Sequence, residues 1–360
     1  MSESIFRNRR RGRAFWLALP VLLFAYLLFF PHPGGKESTM RAVWVKDLSK
    51  PGTATSSAAQ PQWPFRAGDR FGYADLEGNL YYVGRRLHNL SLSNAGFINY
   101  GSVPDHIVFM NPRGEFEFSI KSFGYPLLGP DPDVLYSINT DRSGLKRIDI
   151  DGAVLWSLNF TAPLTSIALA GEEVLIGLMD GRALVVGAEG RALYQYVSET
   201  GRIGVTLGTA YSEDRNQIAF VSGIDPQRLE VLQRREAEFT TELIMELSSD
   251  FRREVQLQFS PDSRFLYFEI EDGLGVLDVR KNTVSRLIGQ GMLSLLDGSD
   301  RCTAAAFRRE AGSQLLIFRP LESKLFNREL AAERVYLKVL GNSVILGLDG
   351  FLLRADLVQG

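Results

Sequence analysis

The feature that most constrains this chain is a hairpin that recurs at a fixed interval. Three segments align on a central glycine, and successive glycines lie 38 residues apart: FMNPRGEFEFSI around Gly114, RIDIDGAVLWSL around Gly152 and VVGAEGRALYQY around Gly190. In each, apolar residues run into a turn, glycine supplies the positive φ that tight turns commonly need, and an apolar strand returns. A constant interval of this size predicts a series of equivalent structural units.

Two further patterns extend the repetition over most of the chain. YSEDRNQIAFVS and FSPDSRFLYFEI align without gaps at an offset of 48, and each places a serine and an acidic turn residue, Asp214 or Asp262, before a buried strand. VLIGLMDGRAL and VILGLDGFLL share a strand, an Asp-Gly turn and a second strand, and FGYADLEGNLYYV has the same shape. The turn residues of this last group are Asp180, Gly181, Asp349, Gly350 and Gly78.

Units placed at these matches recur with an average pitch of about 39 residues, which suits a four-stranded propeller blade of roughly 40–50 residues. The sequence therefore predicts an all-β, seven- or eight-bladed β-propeller, with eight favoured by the count. The last unit ends after two or three strands. Because an N-terminal strand commonly completes the final blade, Ala42-Val-Trp-Val45 is available for that role. The predicted units begin near Phe71, Phe97, Val134, Val174, Ile218, Phe265, Thr303 and Val344.

Two of the repeats resemble known bacterial families. FSPDSRFLYF resembles the strand signature of WD40-like and TolB-type propellers, and IDIDGAVLW resembles a repeat of the PQQ-like propellers. The Gly-His and Trp-Asp dipeptides of WD40 repeats are absent. The tryptophan that locks blades together in quinoproteins is matched by Trp156 and by the aromatic residues Tyr194 and Phe118. The resemblance implies the fold and not a function.

The N-terminal region predicts a single membrane span. Residues 14–30 form a run of seventeen uncharged, mostly apolar residues, which covers about 26 Å as a helix. Residues 1–13 carry five arginines, so the N-terminus is expected in the cytoplasm and the bulk of the chain in the periplasm or outside the cell. The predicted organisation is a cytoplasmic tail over 1–13, a transmembrane helix over 14–31, a tether over 32–64 and an extracytoplasmic propeller over 65–360. We expect an inner-membrane location.

Composition excludes several classes of chemistry. The tail contributes a charge of +4, which leaves −6 for the rest, so a nucleic-acid partner is not expected. Cys302 is the only cysteine, which excludes an intramolecular disulfide, and the chain contains only three histidines. No phosphate-binding loop, HExxH or GxSxG motif is present. We therefore predict no catalytic residues, no metal site and no cofactor.

These observations predict a membrane-anchored, non-catalytic propeller that acts as a protein-interaction or scaffold module with a protein partner in the cell envelope. The segment 233–251 is longer than an ordinary blade hairpin, and it is either a solvated loop, which the paired charges favour, or a binding protrusion. The alternative is a propeller enzyme or a cofactor-binding sensor, quinoprotein-like or glycosidase-like, with an acidic and polar funnel at the central axis.

Overall fold

Each repeat unit forms a small antiparallel sheet, and eight such sheets follow one another along the chain. The computed structural model describes residues 38–49, 63–102, 104–129, 134–198, 201–236, 238–320 and 324–359. Within these ranges there are 31 strands and no helix. The all-β prediction and the count of eight blades rather than seven are confirmed.

The strand nearest the N-terminus is β1, Ser38–Asp47. The next fifteen strands form the first four blades: β2 (Trp63–Ala67), β3 (Arg70–Ala74) and β4 (Leu80–Arg85); β5 (Asn89–Leu92), β6 (Phe97–Tyr100), β7 (His106–Met110) and β8 (Phe116–Lys121); β9 (Tyr125–Leu128), β10 (Leu135–Ile138), β11 (Gly144–Ile148) and β12 (Val154–Asn159); β13 (Leu164–Ala170), β14 (Glu173–Leu178), β15 (Arg182–Val186) and β16 (Ala192–Val197).

The remaining strands form blades 5 to 8, and β1 joins the last of them. They are β17 (Ile203–Tyr211), β18 (Gln217–Ile224), β19 (Gln227–Arg235) and β20 (Glu238–Leu247); β21 (Leu257–Phe259), β22 (Phe265–Ile270), β23 (Gly273–Asp278) and β24 (Thr283–Ile288); β25 (Met292–Gly298), β26 (Thr303–Arg308), β27 (Ser313–Phe318) and β28 (Lys324–Leu330); β29 (Val335–Leu340), β30 (Ser343–Leu348) and β31 (Phe351–Gln359).

The middle strands of a blade are buried on both faces, whereas the outer strand is largely exposed. In blade 6 every residue of β22 and β23 is buried, while β24 alternates between exposed and half-buried residues. Continuous apolar runs are expected where both faces of a strand are covered, and here the neighbouring blades cover them. The core therefore lies between blades, as where Tyr136 of blade 3 packs with Leu164 and Val174 of blade 4.

The ring closes between the last blade and the first. Blade 8 has the strand order β1-β31-β30-β29, so its outer strand comes from the N-terminal side of the chain, and Ala42–Val45 lies within that strand. On the other side β2 contacts β29 and β30. Phe65 of β2 and Ile345 of β30 belong to one buried cluster. Blades 8 and 1 are thus neighbours, as in a closed propeller.

Blade 1 differs from the others because its described strands occupy the second to fourth positions. Trp44 Nε1 of β1 donates to the Leu76 carbonyl in the β3–β4 turn, just as Trp156 Nε1 of β12 donates to the Ala188 carbonyl before the outer strand of blade 4. The β3–β4 turn therefore precedes the outer strand of blade 1, and no described strand takes the innermost position. Residues 50–62 lie outside the described residues.

The predicted units count the blades correctly but begin inside them. The predicted starts near Phe97, Val174, Ile218, Phe265 and Val344 coincide with or lie next to the start of the second strand of a blade. The predicted start near Phe71 falls on β3, in the third position, which explains the short interval before the next unit.

The predicted membrane span, 14–31, and the cytoplasmic tail, 1–13, lie outside the described residues. Within the ranges that the structure describes, no helix is long and apolar enough to cross a membrane. Of the predicted tether, β1 and the first two residues of β2 belong to blades. Residues 40–358 form one compact unit, and the second unit, 1–39 with 359–360, contains only three described residues.

Candidate functional sites at the centre and the outer edge of the ring

Four of the predicted turn glycines lie in equivalent turns, each just before an outer strand: Gly78, Gly114, Gly152 and Gly190. They adopt positive φ angles of 76–86°. A Cβ added to Gly190 would lie 2.5 Å from Cγ of Trp156, and one added to Gly78 would lie 2.8 Å from the ring of Trp44. In each case the partner belongs to the outer strand of the preceding blade. These glycines therefore allow neighbouring blades to interlock. The remaining pairs are Gly114 with Tyr82 and Gly152 with Ile120.

The aromatic residues assigned to the interlocking position behave differently from one another. Trp156 takes that position, whereas Phe118 stacks on Phe109 within blade 2, with ring centroids 4.9 Å apart. Tyr194 packs on Phe239 of blade 5. Trp44 also takes the interlocking position, and it precedes Tyr82 by the 38-residue interval of the glycines. Its partner Gly78 belongs to blade 1, whereas Trp44 belongs to blade 8.

The two Asp-Gly turns connect the second and third strands of their blades. Gly181 and Gly350 adopt φ angles of 84° and 94°. The Asp180 carboxylate accepts a hydrogen bond from Arg182 Nε at 2.8 Å. Partial burial opposes ionisation of Asp180, but its hydrogen bonds with Arg182 hold the pKa below the ordinary value. Asp349 adopts a φ of 30° in the equivalent turn. Both pairs thus have turn geometry.

The two signature aspartates close turns between first and second strands. Asp214 accepts hydrogen bonds from the Ser212 hydroxyl at 2.6 Å and from the Asn216 backbone at 3.1 Å. Asp262 accepts a hydrogen bond from Ser260 at 2.5 Å in the equivalent turn. Burial opposes ionisation of Asp214, yet the hydrogen bonds lower its pKa. Asx-type turns of this kind explain the repeated serine and aspartate by structure.

A cavity of about 740 Å³ lies at the centre of the ring, between blades 1, 2, 7 and 8. Its walls come from the innermost strands β5, β25 and β29 together with β2 and nearby turns. Apolar surface comes from Leu92 and Leu295, among others, and the only carboxylate among the described lining residues is Glu333. Four arginines complete the wall: Arg66, Arg86, Arg308 and Arg334.

The arginines of this cavity are poorly compensated. Arg66 donates from Nη2 to the Leu90 carbonyl at 3.1 Å. Desolvation lowers the pKa of Arg66 more than nearby Tyr336 raises it, and the positive charge of Arg86 lowers it further. The side chains of the other three arginines make no hydrogen bond or ion pair with any residue that the structure describes.

Two further polar groups lie on the inner strands of blades 7 and 8. Tyr336, in the cavity wall, donates its hydroxyl to the Pro64 carbonyl at 2.5 Å, and burial raises the pKa of its phenol. Asp297 of β25 accepts a hydrogen bond from the Val339 backbone at 2.6 Å and pairs with Lys338 Nζ at 3.3 Å. Burial raises the pKa of Asp297 although Lys338 opposes the shift. The wall as a whole favours an anion over a cation.

No sequence motif marks this cavity, because its residues come from both ends of the chain. Arg66 and Arg86 lie in and after blade 1, whereas Arg308 and Arg334 belong to blades 7 and 8. Only closure of the ring brings them together.

A second distinctive surface is the outer edge of blades 3 and 4. The outer strands β12 and β16 contain no charged residue, whereas each of the other outer strands contains at least one. Large apolar side chains on them are about half exposed: Val154 at 55 %, Leu155 at 54 %, Leu193 at 48 % and Val197 at 49 %. Each strand has one neighbour in its sheet.

The predicted protrusion at 233–251 consists of the end of β19, the turn that follows it, all of β20 and the four residues after β20. The two strands are nine and ten residues long and form the outer hairpin of blade 5. The hairpin is therefore extended, and it contains no helix within its described residues.

Groups suited to metal binding or acid-base catalysis are scarce in the described part of the chain. No cluster of three or more His, Cys, Asp or Glu side chains within it could hold a metal ion. His88 precedes β5 and His106 begins β7, and neither side chain has a described hydrogen bond to a carboxylate. Cys302 is buried.

Comparison with known proteins agrees with this architecture. A family model described as "beta-propeller protein" matches residues 8–360. An uncharacterized protein of Treponema pallidum (strain Nichols) is 25 % identical over 314 residues, which cover 80 % of this chain and 82 % of that protein.

Two solved structures are similar in fold. BamB from Moraxella catarrhalis superposes with a TM-score of 0.59 at 14 % identity, over 88 % of this chain and 100 % of BamB. The computationally designed Ika8 protein superposes with a TM-score of 0.62 at 16 % identity, over 86 % of this chain and 97 % of Ika8. At these identities the likeness shows the fold alone.

Proposed function

We propose that this chain, which belongs to the beta-propeller protein family whose model matches residues 8–360, is a non-catalytic protein-interaction module of the cell envelope. The observation that carries the proposal is the uncharged outer edge of blades 3 and 4. The occupant we propose for it is an extended, uncharged segment of a partner protein that pairs with β12 or β16.

Outer strands present unpaired backbone groups, which makes them templates for another strand, and most proteins protect such strands with charges. The other outer strands of this ring follow that rule: β20 contains three glutamates and β28 contains Lys324 and Arg328. Among the described outer strands, only β12 and β16 lack charged residues and also carry exposed aliphatic side chains. These two strands lie on adjacent blades. An added strand would gain main-chain hydrogen bonds and bury these side chains.

The envelope location rests on the N-terminal sequence. The apolar run 14–30 follows an arginine-rich tail, which favours an anchor with its N-terminus in the cytoplasm. The propeller would then be held at the outer face of the inner membrane, where its edge can meet other membrane or periplasmic proteins.

Site-specific photocrosslinking in intact cells tests the docking edge. A photoreactive phenylalanine analogue replaces Leu155 or Leu193, and matched control positions are Val284 and Ile288 of β24, which are 43 % and 67 % exposed on an outer strand that also carries Arg286. We expect one defined envelope protein to crosslink from blades 3 and 4 and not from blade 6. Leu155→Lys, which places a charge on the edge, is expected to abolish the crosslink from position 193 or reduce it severalfold.

Three results would overturn the docking proposal. One is equal crosslinking from β24, which would indicate nonspecific contact. Another is a crosslink only to a second copy of this chain. The third is a partner whose capture is insensitive to Leu155→Lys while the variant remains folded by circular dichroism.

The membrane topology has a separate test. Full-length protein should remain in the pellet after alkaline extraction of membranes, and a C-terminal epitope should become protease-sensitive when the outer permeability barrier is opened, before the cells are lysed. Release by alkaline extraction, or a C-terminal epitope protected until lysis, would refute the proposed anchor and orientation.

A further inference from the structure

Four arginines line the central cavity. Other arginines of the chain have carboxylate partners, as where Arg264 Nη2 lies 2.9 Å from Asp278 and Arg253 Nη2 lies 2.7 Å from Glu269. In the cavity, four arginines converge with one carboxylate, and three have no described partner.

Such an arrangement concentrates positive charge around one cavity. Like charges repel one another, and each guanidinium presents up to five N–H donors to which an anion can provide acceptors. The lowered pKa of Arg66, caused mainly by desolvation and aided by the charge of Arg86, reports the same crowding. The rest of the chain beyond the tail carries a net charge of −6, so the positive cavity is not part of a generally basic surface.

We infer that the central cavity binds a small organic anion that carries two or more carboxylate or phosphate groups. Guanidinium groups recognise both kinds of group through paired, charge-assisted hydrogen bonds. A volume of about 740 Å³ lies within the usual range for small-molecule sites, roughly 300–1,000 Å³. The apolar wall of Leu92 and Leu295 suits the carbon skeleton of such a ligand.

This site is independent of the docking edge proposed above. The cavity lies between blades 1, 2, 7 and 8, whereas β12 and β16 belong to blades 3 and 4. A substitution in one can therefore be tested without altering the other.

Calorimetric titration of the full-length protein in detergent, at constant ionic strength, tests the inference. The probes are citrate and inorganic pyrophosphate, with acetate as a single-charge comparison and a hexa-aspartate peptide as a protein-like one. We expect saturable binding of citrate, pyrophosphate or both, and binding of acetate at least tenfold weaker. Preference for citrate would assign a polycarboxylate ligand, and preference for pyrophosphate a phosphorylated one.

Variants locate the binding. Arg86→Gln and Arg334→Gln each remove one unpaired charge from a connecting segment, and each is expected to weaken binding about tenfold, the factor that corresponds to ~1.4 kcal/mol. The matched control is Arg113→Gln, an exposed arginine in the turn before the outer strand of blade 2 whose side chain also has no described partner. The control should bind within twofold of the wild type.

The inference fails if neither small probe binds saturably, if only the hexa-aspartate peptide binds, or if Arg113→Gln weakens binding as much as the cavity variants. It also fails if Arg86→Gln and Arg334→Gln are folded by circular dichroism and bind normally. Should one of the two fail to fold, Arg308→Gln takes its place. Photocrosslinking from Leu155 and Leu193 reports separately on the docking edge, so the two proposals can fail independently.

Discussion

The contact between Gly78 and Trp44 tests how the ring is closed, because it joins the N-terminal strand of blade 8 to blade 1. Gly78 adopts a φ of +83°, and a Cβ at this position would lie 2.8–2.9 Å from two ring atoms of Trp44. Gly78→Ala therefore suffers two penalties: about 1–2 kcal/mol for the left-handed backbone and about 1–3 kcal/mol for overpacking. We expect a total loss of roughly 2–5 kcal/mol in the free energy of unfolding.

A double-mutant cycle separates the two penalties. Trp44→Ala removes the ring and its hydrogen bond to the Leu76 carbonyl, and it destabilises the protein by itself. In that background Gly78→Ala should cost only the backbone penalty, ~1–2 kcal/mol. The coupling between the two sites should then be about 1–3 kcal/mol, within the range for residues in direct contact.

Urea unfolding of the full-length protein in detergent, followed by tryptophan fluorescence and circular dichroism, measures these values. The matched control is Gly341→Ala, because Gly341 also has a positive φ, +61°, but an added Cβ there meets no atom within 4 Å. If Gly78→Ala is no more destabilising than Gly341→Ala, the predicted clash is wrong. If its cost is unchanged in the Trp44→Ala background, the interlock between blades 8 and 1 is refuted.

Three other predictions concern titratable groups. Hydrogen bonds with Arg264 hold the pKa of Asp278 below its ordinary value of 3.8 despite burial. The stability that ionised Asp278 contributes is therefore present above pH 3.8 and lost as the pH falls through the lower pKa of the folded protein. Asp278→Asn should reduce the acid-induced loss of stability. Burial instead raises the pKa of Asp297, so stability is gained as the pH falls through the pKa of Asp297 in the folded protein. Asp297→Asn should therefore change the pH dependence of stability in the opposite direction to Asp278→Asn. Urea unfolding between about pH 3 and 7 tests both predictions, and changes of the same sign would contradict them. Burial also raises the pKa of the Cys302 thiol, so iodoacetamide should label it at least tenfold more slowly in the native than in the urea-unfolded protein, and rapid native labelling would contradict its burial.

Much of the fold was accessible from sequence because its signals are local. The 38-residue interval of Gly114, Gly152 and Gly190 marks one turn in successive blades, and the middle strands appear as short, continuous apolar runs. Turn residues such as Asp214 and Asp262 also act within a few positions of themselves. These features depend on a single hairpin, so a single hairpin is enough to reveal them.

The candidate sites could not be found in the same way. The uncharged character of β12 and β16 is visible in the sequence, but it has meaning only once both are known to be outer strands of adjacent blades. The alternative of an acidic funnel at the axis was reasonable from the number of aspartates, yet among the described lining residues of the central cavity arginines outnumber the one carboxylate.

The sequence by itself determined an all-β chain of repeated hairpins, a number of blades of seven or eight, and the chemistry of the turns, because strand periodicity and turn propensity act over a few residues. The tertiary structure decided that there are eight blades, which strand begins each of them, and which side chain each repeat glycine meets. It also brought Arg66 and Arg334 to one cavity from opposite ends of the propeller. The physical reason is closure: the ring forms only when blade 8 packs on blade 1, and no local pattern specifies which residues meet there.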